Sequence, residues 1–177
     1  MSDIFIERRS IRRFKEQEIE EEKLQAIFEA ARMAPSWGNL QCAELVVVSD
    51  SEKKKGLADL LSTKNPATKA MVDAPVVLAV CGMPEKSGYY KEKQVTRYQH
   101  WFLYDLGIIS QTICLKACEL GLGTVIVGSF DHKQAEQILN VPKNTELVAL
   151  IPLGYPDHAP SAPKRKGFEE FIHLQQF

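Results

Sequence analysis

The chain has 177 residues, with 22 Lys and Arg against 23 Asp and Glu, a formal net charge of −1, 45% hydrophobic residues and 25% charged ones. Those values fit one domain, residues 1–177, that buries a core of its own, and they exclude a broad basic face for nucleic acid. Its 4 cysteines, Cys42, Cys81, Cys114 and Cys118, form no CxxC pair and lie near no histidine at metal-ligand spacing, so the expectation is a fold without metal or disulfide in a reducing, cytoplasmic compartment. No apolar run approaches membrane-spanning length, and the first seven residues lack a basic stretch followed by an apolar one, so no membrane partner is expected.

Ahead of the first helical pattern stands Arg8-Arg9-Ser10-Ile11-Arg12-Arg13-Phe14. Arginines crowded around a serine offer planar donors to a phosphate or another anion rich in acceptors. Seen alone, such a run is more often a solvated charged face. Leu24, Ile27, Phe28 and Ala31 then recur at helical spacing over residues 20–33, and Pro35 closes that helix. It delivers the chain to a polar loop, residues 34–41, whose hydroxyl and amides at Ser36, Asn39 and Gln41 suit the edge of a heteroaromatic ring. Trp37 either joins them or packs against a helix end. The arginine segment and this loop together suggest two ends of one cofactor site.

Residues 44–48 read as a strand, followed by a capped helix carrying Leu57, Leu60 and Leu61, and residues 75–80 as a fully apolar strand covered on both faces. Residues 84–98 are polar and without period, a mobile connection of the kind from which lids are made. Over residues 99–120 runs the longest helix, apolar nearly all round, and such a helix is either central or meets a partner. Gly121-Leu122-Gly123 breaks it, and residues 124–127 read as a strand ending in Gly128-Ser129-Phe130-Asp131. A helix with Ala135, Ile138 and Leu139, capped by Asp131 or Ser129, precedes a last core strand over 146–153. A Pro-rich, basic tail from about residue 157 ends in strand-like residues 168–177 and is expected to lie across a surface, its own or a neighbour's. Strands alternating with helices indicate α/β or α+β architecture around one sheet.

Protein-borne catalytic constellations are missing: there is no GxSxG, HExxH, P-loop or GxGxxG after a strand. The 4 histidines, His100, His132, His158 and His173, are scattered. Asp105, inside the long helix, is either a general base or a hydrogen-bonded structural carboxylate. No residue is therefore assigned as catalytic. An anion-binding cluster without a nucleophile or metal suggests that a cofactor carries the chemistry.

Arg8 to Arg12, the helix leading into Ala34-Pro35-Ser36-Trp37-Gly38-Asn39-Leu40-Gln41, the Gly121-Leu122-Gly123-Thr124 break, and Leu153-Gly154-Tyr155-Pro156 before a basic tail occur in an order that resembles the small, single-domain, flavin-dependent nitroreductases. The resemblance implies an α+β fold, a central mixed sheet flanked by helices, with a tail extending onto a partner subunit. It implies a homodimer with FMN at the interface and NADH or NADPH as donor. In that pattern Arg8, Arg9, Ser10 and Arg12 surround the phosphate, ribityl chain and pyrimidine edge. Pro35, Ser36, Trp37, Asn39 and Gln41 belong to the loop that reaches the flavin held mainly by the other subunit. Ile126, Val127, Gly128 and Ser129 match the strand end facing the ring, with an amide donating to N5, and Lys164 and Arg165 match the basic return to the phosphate. The implied activity is reduction of nitroaromatic, quinone or similar small acceptors by a ping-pong exchange. The alternatives are a flavin-binding regulatory module without turnover and a specialised relative acting on one metabolite. Two departures stand out: Cys42 replaces the proline often found after Gln41, and only the short stretch 84–101, with Tyr89, Tyr90, His100 and Trp101, is available as a lid.

Overall fold

A computed structural model describes residues 3–177. In chain order it holds α1 (Ile4–Glu7), α2 (Glu21–Arg32), a 3-10 turn (Trp37–Asn39), β1 (Ala43–Val48), α3 (Ser51–Asp59), α4 (Thr68–Asp73), β2 (Val76–Gly82), the short strands β3 (Tyr89–Tyr90) and β4 (Lys93–Gln94), α5 (Phe102–Glu119), β5 (Gly123–Thr124), α6 (His132–Leu139), β6 (Glu146–Gly154) and α7 (Phe168–Phe171). The main sheet has the order β1-β2-β6-β5 with antiparallel pairing throughout. Its mixed character comes from Ser10, which joins the β5 edge by a parallel bridge to Thr124.

The apolar run of β2 is buried at every position, as a strand covered on both faces must be. Successive side chains point to opposite faces. Val77, Ala79 and Cys81 pack with Leu57, Ala58, Ala70, Met71 and Ala135 of α3, α4 and α6. Leu78 and Val80 face Ile27 and Ala31 of α2 and Phe102, Leu106 and Ile113 of α5. Where the β2–β6 register steps from Val80↔Ala149 to Cys81↔Leu147, Val148 is left out of the pairing.

Several expectations need correction. The strand over 124–127 is only the pair Gly123–Thr124, followed by a single bridge from Val127 to Leu150, because Gly128 and Ser129 leave the sheet. The connection over 84–98 contains the β3–β4 hairpin. Residues 168–177, whose Phe, Ile and Leu imitate a strand, form one helical turn at Phe168–Phe171 and stay exposed, with no strand to pair with among the described residues. The α6 cap is Asp131, which accepts from the Gln134 N–H at 3.0 Å. Helix α5 buries Phe102, Leu106, Ile109 and Ile113 and leaves Leu103 and Tyr104 45% and 63% exposed, which keeps the partner-facing alternative open. None of the helices among the described residues is long and apolar enough to cross a membrane.

Close packing fixes the basic segment to the sheet edge. The Ile11 N–H donates to Thr124 O at 2.8 Å, and an ideal β-carbon at Gly123 would fall 2.5 Å from Ile11 Cγ1 and 2.8 Å from its Cβ. Nothing lies within 4 Å of the same point at Gly128. Gly123→Ala should therefore destabilise the fold by about 1–3 kcal/mol through overpacking. Gly128→Ala should stay within about 0.5 kcal/mol of the parent, both read from urea unfolding midpoints.

Candidate functional site

Residues 8–13 run extended from α1 along β5, so their side chains alternate in direction. Arg13 is exposed, and its carbonyl accepts from Asp157 N–H at 3.0 Å. Arg9 Nη1 donates to the carbonyls of Ile6 and Arg8, which partly commits it to closing α1. Arg12 Nη1 reaches Ser10 O at 3.4 Å. Arg9 Nε and Arg12 Nε are buried and find no partner among the described residues. Buried donors left unmatched cost free energy, so they call for an acceptor. Arg8, Arg9 and Ile11 line an open cavity of about 400 Å³ with Cys114, Cys118, Leu122 and the tail residues His158, Ala159 and Pro160. The tail thus returns to the basic segment, but Lys164 and Arg165 are fully outside that cavity and exposed.

At the strand end, Val127 exchanges two 2.9 Å backbone hydrogen bonds with Leu150, while Gly128 and Ser129 are exposed and their N–H groups have no partner among the described residues. Ile126 turns its side chain outward. The His132 ring stacks on Phe130 and lies 3.3 Å from Gly128 O and 2.8 Å from Leu147 O. Ser62 and Asn65 complete this wall: the Ser62 N–H donates to Ser129 O at 3.2 Å, the two serine hydroxyls meet at 3.2 Å, and Asn65 Nδ2 lies 3.5 Å from Ser129 O. Sequence reasoning missed both residues. The available signal was the polar, turn-forming run Ser62-Thr63-Lys64-Asn65-Pro66 between two helical patterns.

The 36–41 loop is a tight structure. Gly38, Asn39 and Gln41 have φ of 56°, 55° and 50°. Left-handed backbone at two non-glycine residues is strained, and such strain collects at functional sites. Ser36 Oγ accepts from Gln41 N–H at 2.9 Å, and Asp105 accepts from Trp37 N–H at 3.1 and 3.2 Å. Pro35, Ser36, Gln41 and Asp105 line a small cavity of about 120 Å³ that shares no residue with the one beside the arginines. Along α5, nine residues separate Asp105 from Cys114 and thirteen separate it from Cys118, about 14 and 20 Å at the helical rise. Ser10 thus ties the arginine segment to Thr124, four residues before Gly128, whereas the loop stands towards the other end of α5.

A model of the nitroreductase family matches residues 6–155. The chain belongs to the nitroreductase family. It is 30% identical to an NADH dehydrogenase of Thermus thermophilus, over 85% of this chain and 84% of that protein. An FMN-dependent nitroreductase from Clostridium difficile superposes with a TM-score of 0.83 at 27% identity and 98% coverage of both chains. The NADPH:FMN oxidoreductase of Vibrio harveyi, solved with NAD+, superposes with a TM-score of 0.83 at 28% identity, over 98% of this chain and 76% of that one.

Two features of this nitroreductase bear on its thiols. Cys42, at the position of the departure noted above, is buried and its Sγ lies 3.4 Å from Asp105 Oδ2. Burial, and then the adjoining carboxylate, push its thiol from 9.0 up to about 11. Burial does the same for Cys81 in β2, again to about 11. Both thiols hold their protons in the folded chain at pH values where the unfolded chain has lost them, so folding is disfavoured as pH rises. Stability should fall between pH 9.0 and about 11. Urea midpoints measured across that window should drop in the parent and drop less in Cys42→Ala and Cys81→Ala.

Proposed function

We propose that the protein is an FMN-dependent oxidoreductase, acting as a homodimer, that uses NADH or NADPH to reduce nitroaromatic, quinone or similar small acceptors. The observation that carries this reading is the pair of buried, unmatched guanidinium nitrogens at Arg9 and Arg12, attached to the same sheet edge that ends in the open amides of Gly128 and Ser129. FMN fits that set: an anionic phosphate and a polar ring edge supply the acceptors that these donors lack. The chemistry that FMN would supply when held by these residues is electron transfer between NAD(P)H and the acceptor in a ping-pong exchange.

The protein's own residues do the rest. Arg8, Arg9, Ser10 and Arg12 bind the phosphate, ribityl and pyrimidine end, and a cation at that edge favours negative charge there. Ile126, Val127, Gly128 and Ser129 present backbone to the ring, with Ser62 and Asn65 bracing Ser129 from behind. Lys164 and Arg165 close on the phosphate when the exposed tail docks.

Dimerisation completes the site in this reading. Leu103, Tyr104, Gly107, Ile108, Gln111, Thr112 and Leu115 form an open, uncharged strip along α5. Phe168 and Leu174 of the tail are 82% and 85% exposed. Exposed apolar side chains on one helix face suit an interaction face, and a self-complementary twofold pairing would bury them. Pro35, Ser36, Trp37, Asn39 and Gln41 then serve the flavin of the partner, which accounts for their distance from the arginines of their own chain.

Flavin released by heating the purified protein should be FMN, and NAD(P)H should bleach the bound form. FAD, or no flavin after reconstitution with excess FMN, would overturn the cofactor assignment. Arg12→Ala should weaken FMN binding at least about tenfold, since one charge-assisted hydrogen bond is worth about 1.5–3 kcal/mol, whereas Arg13→Ala should leave it nearly unchanged. Equal losses in fluorescence titrations would reduce the segment to diffuse charge. Sedimentation should find a dimer with two FMN, and removal of residues 156–177 should cost both the dimer and the flavin. A monomer carrying stoichiometric FMN would refute the shared site.

A further inference from the structure

The geometry points to Asp105 as a positioning residue that couples the cofactor-facing loop to the β3–β4 hairpin through one buried carboxylate. This rests on the reading above, in which residues 35–41 meet FMN. Asp105 is 3% exposed and forms no ion pair among the described residues. A buried carboxylate without a cation is costly, and a helix face needing only to pack would carry an apolar residue there. Its donors come instead from separate parts of the chain. Trp37 N–H serves the loop at 3.1 and 3.2 Å, Ser87 O–H serves the root of the hairpin at 2.7 Å, and the Cys42 thiol adds a longer contact of 3.4 Å where β1 begins.

Both tied segments are rigid at the point of attachment. Ser87 is fully buried, and the next residue, Gly88, has φ +85° with an ideal β-carbon only 2.7 Å from both Trp101 Cβ and Thr96 Oγ1. Val95 N–H donates to Gly88 O at 3.0 Å and closes the hairpin directly above Ser87. A shift of Ser87 must therefore carry the hairpin with it. On the other side the left-handed residues Gly38, Asn39 and Gln41 leave the loop few alternatives once Trp37 is fixed. Lys86 Nζ, 3.5 Å from Gln41 O, is a second bridge between the two segments. The hairpin also walls a cavity of about 600 Å³, which Lys86 and Tyr89 line together with His100, Lys143 and Glu146. Coupling is reciprocal: whatever orders the loop orders this wall, and a molecule held in the cavity steadies the loop.

Hydrogen exchange over residues 84–98, followed by mass spectrometry on the full-length protein with and without FMN, tests the tie. In the parent, FMN should slow exchange there by about fivefold or more. Asp105→Leu should abolish that slowing, and Asp105→Asn, which keeps an acceptor for Trp37 and a polar group beside Ser87, should restore part of it. Ser87→Ala guards against a misfolded Asp105 variant: it should lose the slowing while its FMN affinity stays within about threefold. A residue with a merely structural role would change basal exchange but not its response to FMN. Equal protection by FMN in the parent, Asp105→Leu and Ser87→Ala overturns the proposal, as does a parent hairpin indifferent to bound FMN. If the parent binds no FMN, the cofactor reading falls, and the tie is then read without ligand: hairpin exchange no faster in Asp105→Leu and Ser87→Ala than in the parent sinks it.

Discussion

Coverage of β2 and β6 on both faces is the constraint from which the rest of the molecule follows. With α3, α4 and α6 on one side and α2 and α5 on the other, no polar chemistry can sit on the broad faces of the sheet. It is displaced to the rim. One rim is the β5 edge, where the chain enters as Arg8–Arg12 and leaves as Gly128–Ser129. The other is the end of the sheet where β1 begins and β2 finishes, and where Met83 N–H donates to Cys42 O at 3.1 Å. The 36–41 loop and the β3–β4 hairpin both emerge there. Because the two rims belong to opposite ends of α5, the length of that helix sets the spacing between the two groups of candidate site residues.

The helices and core strands were legible because burial writes itself into period. Leu24, Ile27 and Ala31 announce α2, and the unbroken run of β2 announces cover on both faces. Misreadings have equally local causes. Residues 68–73 receive no element from the sequence, because helix α4 covers only Thr68–Asp73 and is too short for its buried pair Ala70 and Met71 to establish a period. Residues 168–177 have strand-like composition but no neighbouring edge, and a strand without a partner has nothing to hold it. Val127 returns to the sheet for one bridge because β6 still offers Leu150, and Gly128 and Ser129 then leave it.

For the site, chain-local signals sufficed to mark the arginine segment, the loop and the strand end. What they could not convey was long-range pairing. The bracing of Ser129 by Ser62 and Asn65 spans 67 and 64 residues, and the Trp37–Asp105 hydrogen bond spans 68. Asp105 illustrates the gap well. In the sequence it is a lone acid in an apolar helix, equally suited to proton transfer and to structure. The structure surrounds it with an amide, a hydroxyl and a thiol, all donating, which leaves a carboxylate engaged in holding chain segments.

Strain and incompleteness in this fold have a common logic. Asn39 and Gln41 are kept left-handed by Ser36 Oγ and by Asp105 through Trp37, at the opposite end of α5 from the Arg8–Arg12 segment of the same chain. Arg9 and Arg12 keep buried nitrogens unmatched at the other rim. A chain acting alone would bear both costs without return. In the proposed homodimer, a twofold axis perpendicular to α5 would set that helix antiparallel to its copy and bring the end bearing Asp105 in one subunit towards the end bearing Cys114 and Cys118 in the other. In that arrangement the strained loop and the unmatched arginines would face one space, where a single anionic, ring-bearing ligand would supply what both lack.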